Sequence, residues 1–330
     1  MRLSYPIFAS LCPALLLSSA AFAGSVGFAE VSVPDGANPP LEVGIWYPTA
    51  TPPQPTRLGL YTQNVAAGAP IAGEHLPLVV LSHGNGGALA SHYDTALALA
   101  EAGFVVAAPT HAGDTYGDQS HATDLPGRVR QLSQVIDYMV ADWPAKAVDP
   151  SRVGAFGFSA GGFTVLAAAG GNADFTRIAP HCAAYPSYFE CKIMATHAAK
   201  GAGVATNAVF VHNTHIRAIA VAAPALGYTF SQEGLAALDM PVQLWRAEDD
   251  EILPHPFSAE AVRLALPKPP EMHVVAHAGH FDFLAPCSDA LANFAPLICM
   301  SEPGFDRAAF HRSLDGEVVG FFQRALGVSE

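Results

Sequence analysis

Charged residues are scarce in this chain of 330 residues, and basic residues are the scarcest: 16 Lys and Arg stand against 29 Asp and Glu, a net charge of -13. A nucleic-acid partner is therefore excluded, because it requires a basic surface that displaces counterions from phosphates. Disorder is excluded as well, since 51% of the residues are hydrophobic and only 14% are charged. The composition predicts one large folded domain or two small ones.

Long apolar runs are also absent, except at the start of the chain. There, Arg2 precedes the apolar stretch Ile7–Leu17 and an Ala21-Phe22-Ala23 end. This pattern is typical of a secretory signal peptide, cleaved after Ala23. Pro13 and the serines at 18 and 19 interrupt the run and argue against a membrane anchor. We therefore expect residues 1–23 to be a signal peptide and the remaining chain to be exported, periplasmic or extracellular, with no integral membrane segment.

Cysteine is rare, with five residues in the chain. Cys12 lies within the signal peptide, so Cys182, Cys191, Cys287 and Cys299 would remain after cleavage. In an oxidising compartment four cysteines favour two disulfides. We expect Cys182–Cys191 and Cys287–Cys299, because each pair falls within one loop-rich segment.

Short apolar runs alternate with helical patterns along most of the chain. The predicted strands are 26–33, 41–47, 78–81, 104–108, 152–156, 219–222, 242–245 and 272–275, and helical patterns occupy 88–102, 129–140 and 161–169. Residues 50–73 are rich in Pro, Gly and Thr and are interpreted as a long loop. The alternation predicts an α/β fold with a mostly parallel central sheet and helices on both faces.

Residues 170–216 break this alternation. The segment is too long for an ordinary connection and carries Cys182, Cys191 and several aromatic residues. We interpret it as a cap-like insertion in a single domain that spans residues 24–330.

The sequence Gly157-Phe158-Ser159-Ala160-Gly161 lies between a predicted strand and a predicted helix. A nucleophile elbow requires this context, because the sharp turn lifts the serine hydroxyl clear of the sheet. Glycines on both sides leave room for close backbone packing. Ser159 is therefore the candidate nucleophile.

A serine nucleophile needs a base and an acid. In parallel α/β sheets of this type the three residues follow one another along the chain in the order serine, acid, histidine. Acid candidates follow the strand 242–245, and composition leaves four of them open: Glu248, Asp249, Asp250 and Glu251. His280, after the last predicted strand, is the candidate base. His273 falls within that strand and His277 near its end, so packing or solvent exposure is enough to explain them.

A glycine-rich loop, Ser82-His83-Gly84-Asn85-Gly86-Gly87, directly follows the strand 78–81. Acyl transfer creates an oxyanion that backbone N–H groups stabilise. We expect one donor from Ala160, which follows the nucleophile, and the other from this loop near Asn85. We expect His83 to brace the loop rather than to act as a second base.

These motifs resemble those of the α/β-hydrolase fold, in matching order and spacing. The narrower resemblance is to bacterial exported dienelactone-hydrolase-like proteins, which are related to the platelet-activating-factor acetylhydrolases; it extends to Val43–Pro48, Ala108–Asp114 and Arg128. It implies Ser159 as nucleophile, His280 as general base and Asp250, four residues before Pro254, as the orienting acid. Dienelactone hydrolases proper carry cysteine at the elbow, so the serine here favours ordinary ester hydrolysis.

The resulting hypothesis is a secreted serine esterase that forms an acyl-enzyme and acts on a small-molecule, lipid or polymer ester. A lipase, phospholipase or polyester depolymerase would use the same triad but needs an apolar entrance, for which the candidates are Phe158, Tyr185, Tyr188, Phe189, Phe281 and Phe283. A peptidase or amidase would also use this triad, and a binding module without catalysis is less favoured. No cofactor or metal is expected, because neither the pair His212 and His215 nor the pair His277 and His280 lies in a recognised ligand pattern.

Overall fold

The central sheet of the computed structural model contains ten strands among the residues that the structure describes, which are 24–143 and 146–328. The predicted signal peptide lies outside these residues. The strands are Ser25–Asp35 (β1), Asn38–Thr49 (β2), Gln54–Leu58 (β3), Tyr61–Ala67 (β4), Leu76–Ser82 (β5), Val105–Pro109 (β6), Val148–Phe158 (β7), Ile216–Ala222 (β8), Val242–Ala247 (β9) and Glu271–Val275 (β10).

The strand order across the sheet is β10-β9-β8-β7-β5-β6-β2-β1-β4-β3. All neighbours from β10 to β6 are parallel, whereas β2 pairs antiparallel with both β6 and β1. Both faces are covered by helices, so the predicted mostly parallel α/β sheet is confirmed. The helices are Tyr93–Glu101 (α1), Leu125–Ala141 (α2), Ala160–Ala168 (α3), Ile178–Ala184 (α4), Phe189–Ala199 (α5), Gln232–Leu235 (α6), Ala259–Ala265 (α7), Asp289–Phe294 (α8), Pro296–Cys299 (α9) and Arg307–Leu326 (α10).

The apolar core is divided by the sheet into two layers. In β5, Leu78 and Val80 pack in one layer with α2 and α3, while Val79 and Leu81 pack in the other with α1 and α10. Successive strand side chains point to opposite faces, so a strand buried on both sides must be apolar at every position. This explains why the central strands are continuous apolar runs.

The prediction of a long loop over residues 50–73 is wrong. Residues Gln54–Leu58 and Tyr61–Ala67 form an antiparallel hairpin, and β4 pairs in parallel with β1. Leu58, Tyr61 and Val65 are buried, which gives the hairpin an apolar face despite its Pro and Thr content. β3 is the edge strand, where proline is tolerated because the missing N–H has no neighbour to bond.

The segment 170–216 contains α4 and α5, and Cys182 of α4 is bonded to Cys191 of α5. The second disulfide joins Cys287 to Cys299 and encloses α8 and most of α9. No helix within the described ranges is both long and apolar enough to cross a membrane.

Candidate active site

Ser159 sits at the junction between β7 and α3 in a strained backbone conformation, with φ 56° and ψ -119°. Positive φ is rare for residues other than glycine and is retained where the surroundings enforce it. The two glycines of the motif show how tight the turn is. A Cβ on Gly157 would lie 2.2 Å from the Gly161 carbonyl oxygen, and a Cβ on Gly161 would lie 1.9 Å from the Ser82 carbonyl oxygen.

The structure brings Ser159, His280 and Asp250 together. The Ser159 Oγ lies 3.0 Å from His280 Nε2, and His280 Nδ1 lies 2.8 Å from Asp250 Oδ2. Because an ionised carboxylate only accepts, Nδ1 donates to Asp250, and Nε2 is left to accept from the serine hydroxyl. Each side chain follows the carboxyl end of a different strand (β7, β9 and β10), where open α/β sheets place their sites.

Only one of the four acid candidates contacts His280. The other oxygen of Asp250 accepts the backbone N–H groups of the residues at 252 and 253, at 3.0 and 2.7 Å, which fixes the carboxylate. Glu248 accepts the His277 N–H, and the Asp249 carboxylate lies 3.8 Å from the His277 ring. Glu251 is exposed. His277 is therefore engaged with these neighbouring acids at the surface.

The two predicted oxyanion donors belong to segments that border the serine. Ala160 is the first residue of α3, where a helix presents unsatisfied N–H groups and the positive end of its dipole. Asn85 lies in the loop after β5, and its side-chain amide donates to Asp114 and Gln119. Within residues 24–143 and 146–328, neither backbone N–H of this pair donates to a protein acceptor.

His83 braces the glycine-rich loop with both ring nitrogens. Nδ1 donates to the Gly84 carbonyl at 2.7 Å, and Nε2 accepts the His111 N–H at 2.9 Å. Burial lowers the pKa of His83 well below its usual value, and the charge of Arg128 adds to this effect. A neutral ring with both nitrogens bonded has no free position to act as a second base. His273 of β10 stacks on Trp245 of β9, and its Nε2 lies 3.2 Å from Glu271 Oε1.

Sequence reasoning missed a buried ion pair that holds the turn carrying His280. Arg307 Nε donates to Asp282 Oδ1 at 3.0 Å, and the Asp282 Oδ2 accepts the Gly279 N–H at 2.8 Å. The remaining nitrogens of Arg307 donate to the carbonyls of Ile298 and Met300, in and beside the loop closed by the Cys287–Cys299 disulfide. No local motif joins Asp282 to a residue 25 positions away, so only the fold shows the pair.

An aromatic cluster joins the predicted cap to the loop that carries the acid. The ring of His181 in α4 stacks 3.8 Å from Tyr228, and Tyr185 lies 4.7 Å from Phe257. Glu190 of α5 approaches His181 Nε2 at 3.3 Å. Burial raises the pKa of Glu190, and the charge of Asp250 contributes in the same direction. The predicted cap therefore packs against the segment that follows the candidate acid.

Four groups of potential metal ligands occur among the described residues. One includes Cys191, whose sulfur is already bonded to Cys182. None of the four includes Ser159, His280, His212 or His215.

The aromatic residues proposed to line an apolar entrance differ in exposure. Phe158 and Phe283 are buried in the core, Tyr185, Tyr188 and Phe281 are half-buried, and Phe189 is exposed. The first two therefore act as packing residues.

Comparison with known proteins agrees with this architecture. Residues 91–188 match the model of the prolyl oligopeptidase family. The crystal structure of dienelactone hydrolase from Anabaena variabilis ATCC 29413 matches with a TM-score of 0.54 and 14% identity, covering 91% of this chain and 98% of that one. No curated protein matches the sequence significantly. Together with the sheet order and the strand–turn–helix at Ser159, these similarities show that the chain has the α/β-hydrolase fold, and the family match over residues 91–188 supports a hydrolase.

Proposed function

We propose that this protein hydrolyses carboxylic esters through a Ser159–His280–Asp250 triad and a covalent acyl-enzyme. The observation that carries the proposal is the position of His280, which contacts the serine hydroxyl at 3.0 Å and the aspartate at 2.8 Å. A serine hydroxyl is a weak nucleophile until a base takes its proton, and the base works best when a third group fixes its orientation.

In the acylation step, His280 Nε2 accepts the proton from Ser159 as Oγ bonds to the ester carbonyl carbon. The carbonyl oxygen becomes an oxyanion, stabilised by the N–H groups of Asn85 and Ala160. The tetrahedral intermediate collapses, the C–O bond to the alcohol breaks, and His280 protonates the departing alkoxide. In deacylation, water gives a proton to His280 Nε2 as its oxygen bonds to the acyl carbon. The second tetrahedral intermediate collapses, the bond between the acyl carbon and Ser159 Oγ breaks, and His280 returns the proton to Oγ, which releases the carboxylic acid.

The proposal includes export, with residues 1–23 as a cleaved signal peptide and residues 24–330 as one domain. The two disulfides support an oxidising destination, the periplasm or the cell exterior. Residues 170–216 would act as a cap on the substrate entrance. The contact of Tyr185 with Phe257, seven residues after Asp250, supports this role.

The test is turnover of soluble p-nitrophenyl esters of graded acyl length by the wild type and by Ser159→Ala. We expect the substitution to abolish turnover above the level of the uncatalysed reaction. Ser151→Ala is the matched control, because Ser151 is exposed near the opposite end of β7. Equal turnover by Ser159→Ala and the wild type would contradict the proposal.

Amide hydrolysis is a second candidate, favoured by the match to the prolyl oligopeptidase family over residues 91–188. The same triad can attack an amide, but the leaving amine must then be protonated as it departs. Parallel assays with p-nitrophenyl esters and peptidyl p-nitroanilides separate the two. A kcat/KM for anilides at or above that for esters would favour the peptidase.

A further inference from the structure

Arg128 lies between the two chain segments that carry the proposed oxyanion donors. Its side chain is 2% exposed and projects from the first turn of α2. On one side, its NH1 donates to Asp114 Oδ2 at 2.5 Å, and its NH2 donates to the carbonyl of His83. On the other side, its Nε donates to Thr164 Oγ1 at 3.2 Å. A single guanidinium therefore contacts both segments.

The first segment is the glycine-rich loop after β5, which is hydrogen-bonded to Asp114. Asp114 Oδ1 accepts the side-chain amide of Asn85 at 2.6 Å and the N–H of Gly86 at 2.9 Å. Its second oxygen is taken by Arg128, and its side chain is 1% exposed. The ion pair and the direct bond to the His83 carbonyl thus fix the loop on both sides of the Asn85 backbone N–H.

The second segment is the first turn of α3. Thr164 Oγ1 accepts from Arg128 and donates to the Ala160 carbonyl at 2.8 Å. Thr164 lies one helical turn after Ala160, the residue whose N–H is the other proposed donor. Arg128 therefore reaches the residue that carries this donor through a single intervening side chain.

This arrangement requires arginine rather than any cation. The guanidinium presents its donors in a rigid plane, so it bonds in three directions at once, whereas the lysine ammonium is a point charge on a flexible stem. Burial lowers the pKa of Arg128, and the charge of Asp114 opposes that effect. A buried charge is costly unless it is paired and fully hydrogen-bonded, and here each nitrogen of the guanidinium has an acceptor.

We infer that Arg128 is a positioning residue that holds the Asn85 and Ala160 N–H groups at the separation needed to bind one oxyanion. The inference rests on the proposed function, since it assigns a role within that reaction. Preorganised donors contribute only when they already point at the position where charge develops. Replacement of Arg128 should therefore weaken binding of the transition state and leave binding of the substrate nearly unchanged.

The experiment compares wild type with Arg128→Met, Arg128→Lys and Thr164→Val, using a soluble p-nitrophenyl ester. For each variant, kcat, KM and the pH profile of kcat/KM are measured, and calorimetry gives the affinity for an aryl trifluoromethyl ketone, which forms a tetrahedral adduct with the serine. Arg263→Met is the matched control, because Arg263 pairs with Glu260 on α7, a helix that carries none of the proposed catalytic groups.

We expect Arg128→Met to lower kcat about 100-fold, with KM within about two-fold and the ketone affinity reduced by a similar factor to kcat. Arg128→Lys should fall between this variant and the wild type. The midpoint of the pH profile should stay constant, because Arg128 contacts neither His280 nor Asp250. A folded Arg128→Met with unchanged kcat and ketone affinity would overturn the inference, even if its melting temperature fell.

If Arg128→Met does not fold, as judged by circular dichroism, Thr164→Val decides. This nearly isosteric change removes both the acceptor of Arg128 Nε and the donor to the Ala160 carbonyl, so it breaks the link between Arg128 and the first turn of α3, and it should reduce kcat and ketone affinity together. Wild-type values for both would overturn the inference. Failure of the proposed function looks different: the wild type would hydrolyse no ester, or Ser159→Ala would remain as active as the wild type.

Discussion

Replacing Gly161 by alanine tests the packing that holds the nucleophile turn against the end of β5. A Cβ at this position would lie 1.9 Å from the Ser82 carbonyl oxygen and 2.8 Å from that of His83. An ordinary carbon–oxygen contact is about 3.3 Å, so one of the two segments must move by about 1.4 Å. Both contacts are with backbone, which cannot rotate away as a side chain can.

We expect this displacement to cost about 3 kcal/mol of unfolding free energy, the upper end of the usual range for overpacking. It also separates the loop bearing Asn85 from the turn bearing Ser159. A misplacement of about 1 Å in a catalytic site can reduce the rate about 100-fold, so kcat should fall at least that far. Urea unfolding and p-nitrophenyl ester turnover measure the two effects.

Gly316→Ala is the matched control. Gly316 lies within α10, and a Cβ there would meet no atom within 4 Å. Alanine should raise the unfolding free energy by about 0.5–1 kcal/mol, because glycine is a poor helix former, and leave kcat unchanged. Wild-type stability and kcat in Gly161→Ala would refute the described packing of the turn.

Three further substitutions probe the acid, the turn that carries the base, and a buried histidine. Asp250→Asn should lower kcat about 10⁴-fold, as loss of the orienting carboxylate does in other triads, whereas Asp249→Asn should leave ester turnover unchanged; equal losses would contradict the assignment. Arg307→Met leaves the buried Asp282 carboxylate without its cation and should lower the free energy of unfolding, measured in urea, by about 3–5 kcal/mol. A decrease below about 1 kcal/mol would show that the ion pair does not stabilise the turn that carries His280. Burial lowers the pKa of His92 from 6.5 to about 4, so the unfolded chain binds a proton first as the pH falls. The contribution of His92 to the free energy of unfolding should then fall by about 1.4 kcal/mol per pH unit between these values, and a pH slope in His92→Phe as steep as in the wild type would contradict this.

Sequence patterns are sufficient to predict the features that depend on residues close together in the chain. The nucleophile turn required two glycines around a serine between a strand and a helix, and the structure shows backbone contacts that only glycine allows at Gly157 and Gly161. The central strands were equally clear, because burial on both faces demands unbroken apolar runs. These features depend on neighbours in sequence, so a local pattern reveals them.

Features that depend on contacts between residues far apart in the chain could not be predicted from the sequence. Composition left four acids open, and the contact of Asp250 with His280, 30 residues away, depends on how β9 and β10 align. The hairpin over Gln54–Leu58 and Tyr61–Ala67 was missed because an edge strand tolerates the prolines that suggest a loop. The resemblance points to Arg128 without giving it a partner, whereas the structure shows its bonds to His83, Asp114 and Thr164.

The central claim is that Ser159 is a nucleophile activated by His280. The most direct measurement is peptide mapping by mass spectrometry after reaction with a fluorophosphonate, which forms a stable adduct with an activated serine. We predict one adduct, on the peptide that contains Ser159, and a greatly slowed reaction in His280→Ala. A wild-type protein that remains unlabelled, or that carries its adduct on another residue, would contradict the claim.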